Sequence, residues 1–484
     1  MEGLEISEVM LSKVLKDNET QRIDSEYFKK HFLNFFDNVS HLRPLGDFVE
    51  DGYRVVYENT KVIDEQIARE NNYPVFLQAT DINTPFIEKT NLHYVNESEW
   101  LRYPKGRIKK GEILIEVKGK IEKVAIVPDD FPEKTLVSGS LYKMTVNEKI
   151  SKYVLLCYLI SKYGVAFKDR YKTNLLISFV SKSDLYRIPV PDFSIDFQNR
   201  IDVTFARIIN CQEQTKTLYA EAENILLKEL GLGDAGGDVT NMSSHEVPAY
   251  GYESSTPCVV IKSFSDFVDS GRLDAEYYQP KYDKIETVIQ SYKGGSDVVS
   301  SFFTQNKTAC TFDKQVYKYI EIGDINIGNG EVNYSLIPTE ELPANAKIVV
   351  NKNDLLVSKV RPYRGAVAIV DFAEKDIIAS GAFTVLQEKQ GMKKEVLQVL
   401  LRTSFYKDWL LKWNVGSSYP VIKDDDILNL PIPKISENIQ RQIAAKVQES
   451  FTLKAESRRL LDLAKTAVET AIEQGENAAL KLLN

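Results

Sequence analysis

The sequence predicts an α+β fold with two homologous domains in tandem, each followed by a long helix. Three observations support this prediction: an internal repeat of about half the chain, short β-rich runs in the centre of each copy, and a heptad-patterned stretch after each copy. With 484 residues, the chain is long enough for two domains that each bury a core.

The repeat consists of four pairs of matching segments in the same order. Arg22–Phe28 returns as Arg272–Tyr278 at an offset of 250 residues, and Asp81–Asn83 returns as Asp324–Asn326 at an offset of 243. Ser138–Ser140 and Leu185–Pro191 return as Ser380–Ala382 and Ile427–Pro433, both at an offset of 242. A domain-length repeat indicates two homologous domains, whereas a short period would indicate a solenoid or a propeller.

Each copy is predicted to contain a helix, central strands, a second helix and a closing strand. In the second copy the first helix is expected over Ala275–Tyr292, where apolar residues recur at spacings of three and four. The strand–turn–strand units are Glu112–Val117 with Val124–Val127, and Asp354–Ser358 with Val367–Val370. The second helices are Tyr153–Phe167 and Lys394–Trp413, and the closing strands end in Pro189–Pro191 and Pro431–Pro433, whose prolines stop each domain.

A long helix follows each closing strand, from about Phe197 to Leu230 and from about Ile439 to Ile472. The first heptad seam is Ile201, Phe205, Ile208, Gln212, Thr215, Tyr219, Ala222 and Leu226; the second is Ile443, Val447, Ser450, Lys454, Ser457, Leu461, Ala464 and Val468. Both seams are apolar at the ends and polar at the centre, which favours an antiparallel coiled coil of fixed register. The alternative is that each helix packs only on its own domain, but a helix with a narrow apolar stripe needs a partner.

These elements predict five segments along the chain: a first domain at 1–192, a central long helix at 193–232, a linker at 233–258, a second domain at 259–434 and a C-terminal long helix at 435–484. The linker is assigned because periodicity is lost in a stretch of Gly, Asp and Ser. No secretory signal or membrane-spanning run is recognised, so a cytoplasmic protein is expected. The four cysteines and four histidines are scattered, so no metal site is assigned.

No catalytic residue is assigned, because phosphate-binding loops, nucleophile elbows, zinc-protease motifs and an amino-methyltransferase Asn/Asp-Pro-Pro segment are not found. One string, Glu112, Glu116 and Lys118, resembles the acid-x-Lys strand of metal-dependent nucleases. The second copy has Ser358 in place of Glu116, so this pattern is a property of one strand and not of the repeated unit. A nuclease site is retained as an alternative function.

Basic turns at matching points of both copies are the candidate binding residues. The net charge of −8 argues against a free-standing DNA binder, which usually has a basic face, but it is compatible with binding through local basic patches. Basic, amide, hydroxyl and aromatic side chains on turns suit phosphate contact and the reading of base edges, although solvated loop lysines would give the same pattern. The DNA-binding candidates are Lys118, Lys120, Lys123, Arg170, Lys172 and Asn174 in the first copy, and Lys359, Arg361, Tyr363, Arg364, Lys412, Asn414, Ser417 and Ser418 in the second.

The chain resembles the specificity (S) subunit of type I restriction–modification systems over nearly its whole length. The residues that carry the resemblance are the Arg-Leu-Asp-Ala-Glu-Tyr-Tyr-x-Pro-x-Tyr segment (Arg272–Tyr282), Gly111–Val127, and the ends of each half at Ile188–Ile201 and Leu430–Ile443. The first copy departs from the pattern with Lys30 where the second has Pro280, and the linker is long.

The resemblance implies two target-recognition domains that each read one half of a split double-stranded DNA site through the major groove. It also implies a non-catalytic subunit, with two methyltransferase subunits docked on the paired helices and motor-nuclease subunits completing the complex. S-adenosylmethionine, ATP and Mg²⁺ are then expected on the partner subunits and not in this chain. A two-domain scaffold without a DNA role is a further alternative.

Helix length is compatible with this reading. A helix of about 34 residues is about 50 Å long, and a turn of DNA spans roughly 34–36 Å. The Arg22–Asp24 and Arg272–Asp274 pairs are interpreted as structural clamps between helix and domain, and for that reason they are not counted among the DNA-binding candidates.

Overall fold

The computed structural model describes residues 8–16, 22–30, 32, 42–57, 60–63, 67–68, 71–87, 92–173, 177–232, 260–372, 374–415 and 419–483. The chain divides into two compact units: unit 1 contains Met1–Cys211 and Ala455–Asn484, and unit 2 contains Gln212–Lys454. Each unit therefore holds one domain and part of each of two long helices. The predicted linker at 233–258 lies outside the described residues.

The central strands, second helical region and closing strand of unit 1 follow the predicted order, whereas the helix predicted after Arg22–Phe28 lies mostly outside the described residues. Its strands are β1 (Leu42–Pro44), β2 (Val49–Tyr53), β3 (Val75–Leu77), β4 (Ile82–Asn83), β5 (Phe86–Ile87), β6 (His93–Tyr94), β7 (Ile113–Glu116), β8 (Val124–Ile126), β9 (Thr135–Val137), β10 (Leu141–Val146) and β11 (Pro189–Pro191). Its helices are α1 (Leu11–Lys16), α2 (Glu97–Arg102), α3 (Lys152–Ile160), α4 (Lys162–Tyr171), α5 (Lys182–Tyr186) and the first part of α6 (Ile195–Glu229).

Unit 2 repeats this order with one additional strand. Its strands are β12 (Ser296–Val298), β13 (Phe303–Gln305), β14 (Val316–Ile320), β15 (Ile325–Asn326), β16 (Glu331–Val332), β17 (Ser335–Pro338), β18 (Ala346–Val349), β19 (Leu355–Ser358), β20 (Val367–Ile369), β21 (Ile377–Ser380), β22 (Phe383–Glu388) and β23 (Pro431–Pro433). The helices that follow α6 are α7 (Phe264–Ser270), α8 (Pro280–Gln290), α9 (Val299–Phe302), α10 (Lys394–Arg402), α11 (Ser404–Leu410), α12 (Asp424–Leu428), α13 (Glu437–Gln474), which ends in unit 1, and α14 (Glu476–Leu482), also in unit 1.

The two domains share one sheet topology, which confirms the predicted α+β class and the duplication. A four-stranded antiparallel sheet has the order β2-β10-β7-β8 in unit 1 and β13-β22-β19-β20 in unit 2. The register is also the same, because Leu141 faces Glu116 in unit 1 and Phe383 faces Ser358, each 242 residues later, in unit 2. A second sheet pairs β3 with β9, and β14 with β21, as parallel neighbours.

The central strand of each four-stranded sheet is buried on both faces. In β7, Ile113 and Ile115 lie in the core shared with α3 and α4, while Leu114 lies in the core that contains the second sheet. Leu355, Leu356 and Val357 of β19 alternate in the same way. Since side chains alternate along a strand, each domain has three layers, with the four-stranded sheet in the middle.

The predicted second helix is wrong in one respect, because it is broken at the same point in both domains. Helix α3 ends before Ser161, whose hydroxyl donates to the Tyr158 carbonyl oxygen at 2.6 Å. Helix α10 ends before Thr403, whose hydroxyl donates to the Leu400 carbonyl oxygen at 2.6 Å. Both residues adopt extended backbone angles, and a new helix starts directly after them.

The long helices pair antiparallel, as predicted, and also pack on the domains. In unit 1, Ser194 bonds to Glu476, and Arg207 of α6 pairs with Glu456 of α13 at 3.4 Å, so residue numbers rise along one helix and fall along the other. In unit 2 the Thr215 hydroxyl approaches the Ser450 carbonyl, and Lys446 pairs with Glu221.

The polar centre of the predicted seam is buried along with its apolar ends, as at Thr215, Ser450, Lys454 and Ser457. Apolar seam residues join the domain cores: Ile201 and Phe205 with Ala464 in unit 1, and Tyr219 and Leu226 with Val447 in unit 2. In the described part of the chain, no helix combines the length and the apolar character that crossing a membrane requires.

Candidate nucleic-acid interface

The turn between β7 and β8 presents the basic residues of the first domain. Lys118 and Lys120 are exposed, and the turn is tied to a neighbouring segment where Gly119 donates its amide to the Ser178 carbonyl at 3.1 Å. Gly119 has a φ of 116°, a backbone conformation that favours glycine. Lys123 is half-buried, and its Nζ donates to the Ala79 carbonyl at 2.9 Å. Two of the three predicted lysines of this turn are therefore displayed to solvent.

Two buried charged side chains, Glu116 and Lys168, form hydrogen bonds with the backbone of this turn. The Glu116 carboxylate accepts the amides of Glu122 at 3.1 Å and Lys123 at 3.3 Å. Lys168 of α4 is almost fully buried, and its Nζ donates to the Glu122 carbonyl at 3.2 Å. Burial lowers the pKa of Lys168 to about 8, an effect that the nearby Glu116 carboxylate opposes. Side-chain contacts thus fix the backbone of the turn before any ligand binds.

The same contacts bear on the nuclease alternative. Glu112 is buried against Lys143, with 3.0 Å between Oε1 and Nζ, and its other oxygen accepts the Lys109 amide at 2.7 Å. Glu116 is engaged with the turn amides. Across the residues that the structure describes, no three His, Cys, Asp or Glu side chains are grouped to hold a metal ion. The acid-x-Lys string of β7 therefore has structural partners for both of its carboxylates.

The equivalent turn in unit 2 displays a different set of side chains. Arg361 occupies the place of Gly119, since its amide donates to the Pro420 carbonyl at 2.8 Å, and it has a φ of 48°. Its guanidinium lies 4.5 Å from the centroid of the Tyr419 ring, and its Nε is buried without a hydrogen-bond partner among the described residues. Tyr363 and Arg364 are exposed beside it. A non-glycine residue in this conformation is uncommon and marks a candidate functional position.

Lys359 lies at the start of this turn and is held by an ion pair. Its Nζ is 3.0 Å from Asp424, the first residue of α12, which also accepts the Thr384 hydroxyl at 2.6 Å. Burial opposes ionisation of Asp424, but the hydrogen bonds from Thr384 and Lys359 keep its pKa below the ordinary value. The pair lies in a shallow cavity of about 420 Å³ that also contains Gly381 and Lys423. Lys359 therefore joins the turn to α12.

The second basic cluster of each copy is engaged with the repeated opening motif. In unit 1, Arg170 donates to the Tyr27 carbonyl at 3.0 Å and stacks 4.5 Å from that ring. In unit 2, Lys412 occupies the equivalent place, 5.2 Å from the Tyr277 ring and 3.4 Å from Glu286. These side chains lie against the motif, whereas the prediction placed them on turns that contact DNA.

The remaining predicted residues divide into engaged and undescribed ones. Lys172 pairs with Asp169 at 2.6 Å, and the Asn414 Oδ1 accepts the Val421 amide at 3.1 Å. Asn174, Ser417 and Ser418 lie outside the described residues.

The Arg-x-Asp pairs of the opening motif have the contacts of clamps. Arg22 chelates Asp24 with bonds of 2.7 and 2.9 Å and donates to the carbonyls of Arg170 and Lys172 at the end of α4. Arg272 chelates Asp274 in the same way and donates to the Asn414 carbonyl at 3.0 Å. Each pair thus connects the entry of a domain to the segment after its second helix.

Arg54 and Phe179 belong to the surface of the first domain and are missed by the sequence analysis. The Arg54 guanidinium lies 4.7 Å from the Phe179 ring and its Nε donates to the Gly139 carbonyl at 2.6 Å. Burial lowers the pKa of Arg54. Phe179 pairs with Lys118 in an isolated β-bridge, so Arg54 adjoins the basic turn. No local signal reveals this contact, because the partners are distant in sequence.

One known protein family matches part of the chain. Residues 298–460 match the family model described as "Type I restriction modification DNA specificity domain". None of the curated protein sequences matches this chain significantly.

Solved structures with similarity to the chain include an S subunit of a type I restriction–modification system from M. genitalium, at 12% identity over 92% of this chain and 96% of that chain, with a TM-score of 0.37. An HsdS subunit from Thermoanaerobacter tengcongensis is similar at 14% identity over 91% of this chain and 98% of that chain, with a TM-score of 0.28.

The family match covers most of the domain of unit 2 and part of α13. The domain of unit 1 repeats the sheet order and register of that matched domain. The DNA specificity that this family description names agrees with the recognition role predicted for the domain of unit 2. Residues 298–460 are thus similar to the type I restriction modification DNA specificity domain.

Proposed function

We propose that this chain reads a split, asymmetric double-stranded DNA site, with the domain of each unit contacting one half-site. The turn of residues 117–123 contacts one half-site and the turn of residues 359–366 contacts the other. Non-specific contacts to phosphates position each domain, while the side chains at the tips of the turns select bases.

The observation that supports this proposal is that the two domains have the same strand arrangement but expose different side chains on the equivalent turn. Both domains have the same sheet order and strand register. In both turns the backbone amide of the equivalent residue, 119 or 361, donates to a carbonyl of the neighbouring segment. The exposed tips differ, with Lys118 and Lys120 in one domain and Tyr363 and Arg364 in the other. Two copies of one scaffold that present different tips suit a ligand with two different halves.

Arg361 is the strongest candidate for a base contact. A guanidinium stacked on an aromatic ring keeps its donors in a fixed plane, which favours bidentate hydrogen bonds. Such a fork matches the O6 and N7 acceptors of guanine in the major groove. We therefore expect a guanine in the half-site that unit 2 reads.

The paired helices α6 and α13 are the proposed docking elements for partner subunits and set the spacing between half-sites. Two methyltransferase subunits bind there with S-adenosylmethionine, and motor-nuclease subunits supply ATP and Mg²⁺ chemistry. The net charge of −8 is consistent with partner subunits that supply much of the electrostatic attraction to the DNA phosphates.

Co-expression with the methyltransferase subunit and mapping of methylated adenines in the host genome tests the proposal. The expected result is one motif made of two different half-sites separated by unspecified bases. A continuous motif, a palindrome, or no methylation dependent on this chain would contradict it.

A further inference from the structure

A cleft in unit 1 adjoins the basic turn of the first domain. It has a volume of about 250 Å³ and is lined by Tyr53, Val55, Arg102, Tyr103, Pro104, Lys105 and Gly106. Two lining side chains are cations, two are tyrosines, and among the described residues of the lining none is acidic. This combination of charge and hydrogen-bond donors suits an anionic group.

The walls of the cleft are held by packing. Lys105 places its Nζ 5.5 Å from the Tyr53 ring centroid, and the Arg102 guanidinium lies 5.3 Å from the Tyr103 ring. The Tyr103 ring packs edge-on against Tyr57 at 4.6 Å, and the Tyr57 hydroxyl donates to the Val137 carbonyl of β9 at 2.6 Å. Both cations are exposed at the mouth of the cleft. The site is thus partly organised before a ligand arrives.

The cleft is connected to the turn that carries Lys118 through two intervening side chains. Tyr53 is followed by Arg54, whose guanidinium stacks on Phe179, and Phe179 bridges to Lys118. A cation and an aromatic ring, Arg54 and Phe179, thus lie between the cleft and the turn. Basic side chains grouped on one domain in this way are the pattern expected of a nucleic-acid-binding protein.

Unit 2 does not repeat the composition of the cleft. Arg107 pairs with Leu136 in unit 1, and Val349 pairs with Ile378 at the equivalent register, 242 residues later, in unit 2. The positions of Arg102, Tyr103 and Lys105 are accordingly taken by Ala344, Asn345 and Lys347. Asn345 bonds to the Ser380 hydroxyl at 3.0 Å. Unit 2 therefore has no cation at the position of Arg102, and at the position of Tyr103 it has an asparagine whose side chain is hydrogen-bonded within the domain.

We propose that this cleft binds a phosphate group of the DNA backbone beside the base pairs that the Lys118–Lys123 turn reads, through Arg102 and Lys105. The inference rests on the proposed function and adds a contact that only the first domain makes. Arg and Lys side chains donate charge-assisted hydrogen bonds to phosphate oxygens, which position a protein without selecting sequence. The footprint on one half-site is therefore longer than on the other.

Substitution of single DNA phosphates by neutral methylphosphonates tests this contact. Binding of the full chain with its co-expressed partner subunits is measured on duplexes that carry one methylphosphonate at successive positions. One position next to the first half-site should weaken binding by the wild type but not by the Arg102→Gln/Lys105→Gln double variant. The slope of log K against log salt should be shallower by about 1 in this variant, the effect of one phosphate contact.

Lys110→Gln is a matched control for general charge effects. Lys110 is exposed, pairs weakly with Glu133 at 3.9 Å, and precedes β7 at the end opposite to Lys118. This variant should remain sensitive to every methylphosphonate that affects the wild type. Equal sensitivity of the double variant and the wild type at every position would overturn the contact while leaving split-site binding intact.

Two further outcomes are informative. Competition by inorganic phosphate without any methylphosphonate-sensitive position would assign the cleft to free phosphate and overturn the DNA contact. Failure of the wild-type complex to bind any split site would instead contradict the proposed function itself.

Discussion

The guanidinium of Arg361 lies 4.5 Å from the Tyr419 ring centroid, at the position that Gly119 occupies in the other domain. Both residues have a positive φ, of 48° and 116°, so the same backbone bend is present in both turns. Glycine adopts this bend readily, whereas arginine places a large cation there in an uncommon conformation. The duplication thus preserved the bend and changed the side chain at its tip.

Glu116→Ala is expected to lower the free energy of unfolding. The substitution removes the buried carboxylate that accepts the Glu122 and Lys123 amides, and a hydrogen bond to a charged group contributes about 1.5–3 kcal/mol. Ser358→Ala is the matched control in unit 2, because the Ser358 hydroxyl contacts one residue and is uncharged: it donates to the Val360 carbonyl at 2.9 Å and accepts the Val360 amide at 3.3 Å. Urea unfolding of both variants should show the larger loss for Glu116→Ala.

The same variant separates DNA recognition from the nuclease alternative. The structural role of Glu112 and Glu116 predicts that the wild-type chain with Mg²⁺ leaves duplex DNA uncut. Mg²⁺-dependent cutting by the isolated chain that disappears in Glu116→Ala would establish a nuclease and reject the structural account of these carboxylates.

Lys168 is expected to make stability depend on pH in the alkaline range. Burial lowers its pKa from 10.5 to about 8, so between these values the unfolded chain binds a proton that the folded chain has released. Stability rises with pH wherever the unfolded state binds more protons. The difference in unfolding free energy between the wild type and Lys168→Met should therefore shift in favour of the wild type as the pH rises from about 8 to 10.5. An unfolding free-energy difference that stays constant over this pH range would contradict the lowered pKa of Lys168.

The Arg272–Asp274 ion pair is expected to make the stability of the protein depend on pH in the acidic range. The hydrogen bond from Arg272 holds the pKa of Asp274 below its ordinary value of 3.8. The stabilising contribution of the carboxylate is therefore complete above 3.8 and is lost as the pH falls through the lower folded-state value. Asp274→Asn should be less stable than the wild type at neutral pH, and calorimetric melting should show that the two proteins converge in strong acid. A destabilisation that persists unchanged in acid would exclude the ion pair as its cause.

Helix length is expected to control the distance between half-sites. Insertion of one heptad into both α6 and α13 preserves the seam and lengthens each helix by about 10 Å. This length corresponds to about three base pairs, so methylation mapping should find half-sites that lie farther apart by that amount. The same insertion into α6 alone should abolish assembly. An active complex with unchanged spacing would count against this role of the helices.

The fold could be predicted because its determinants are periodic and repeated. Heptad seams predicted the antiparallel pairing, and the buried polar seam residue Ser450 lies where the pattern placed it. The break at Ser161 and Thr403 was missed, because apolar residues continue on both sides of it and only the hydroxyl contacts reveal the end of the first helix.

The candidate site was predicted less completely, because exposure depends on partners that are remote in sequence. Lys118 and Arg364 are exposed as expected. Arg170 and Lys412 have the composition of DNA-contacting residues but pack against Tyr27 and Tyr277, which lie more than a hundred residues away. Arg54 was missed for the same reason, since Phe179 reaches it only through the fold.

Binding of paired turn variants to DNA tests the central claim most directly. Arg361→Ala with Arg364→Ala should weaken binding through one half-site, by roughly 1–3 kcal/mol if Arg361 contacts a guanine. Lys118→Ala with Lys120→Ala should weaken binding through the other half-site. Affinities are measured on duplexes in which one or the other half-site is replaced by an unrelated sequence. Each variant should be insensitive to replacement of the half-site that it no longer contacts. The account predicts this reciprocal pattern, and equal loss at both half-sites in either variant would contradict it.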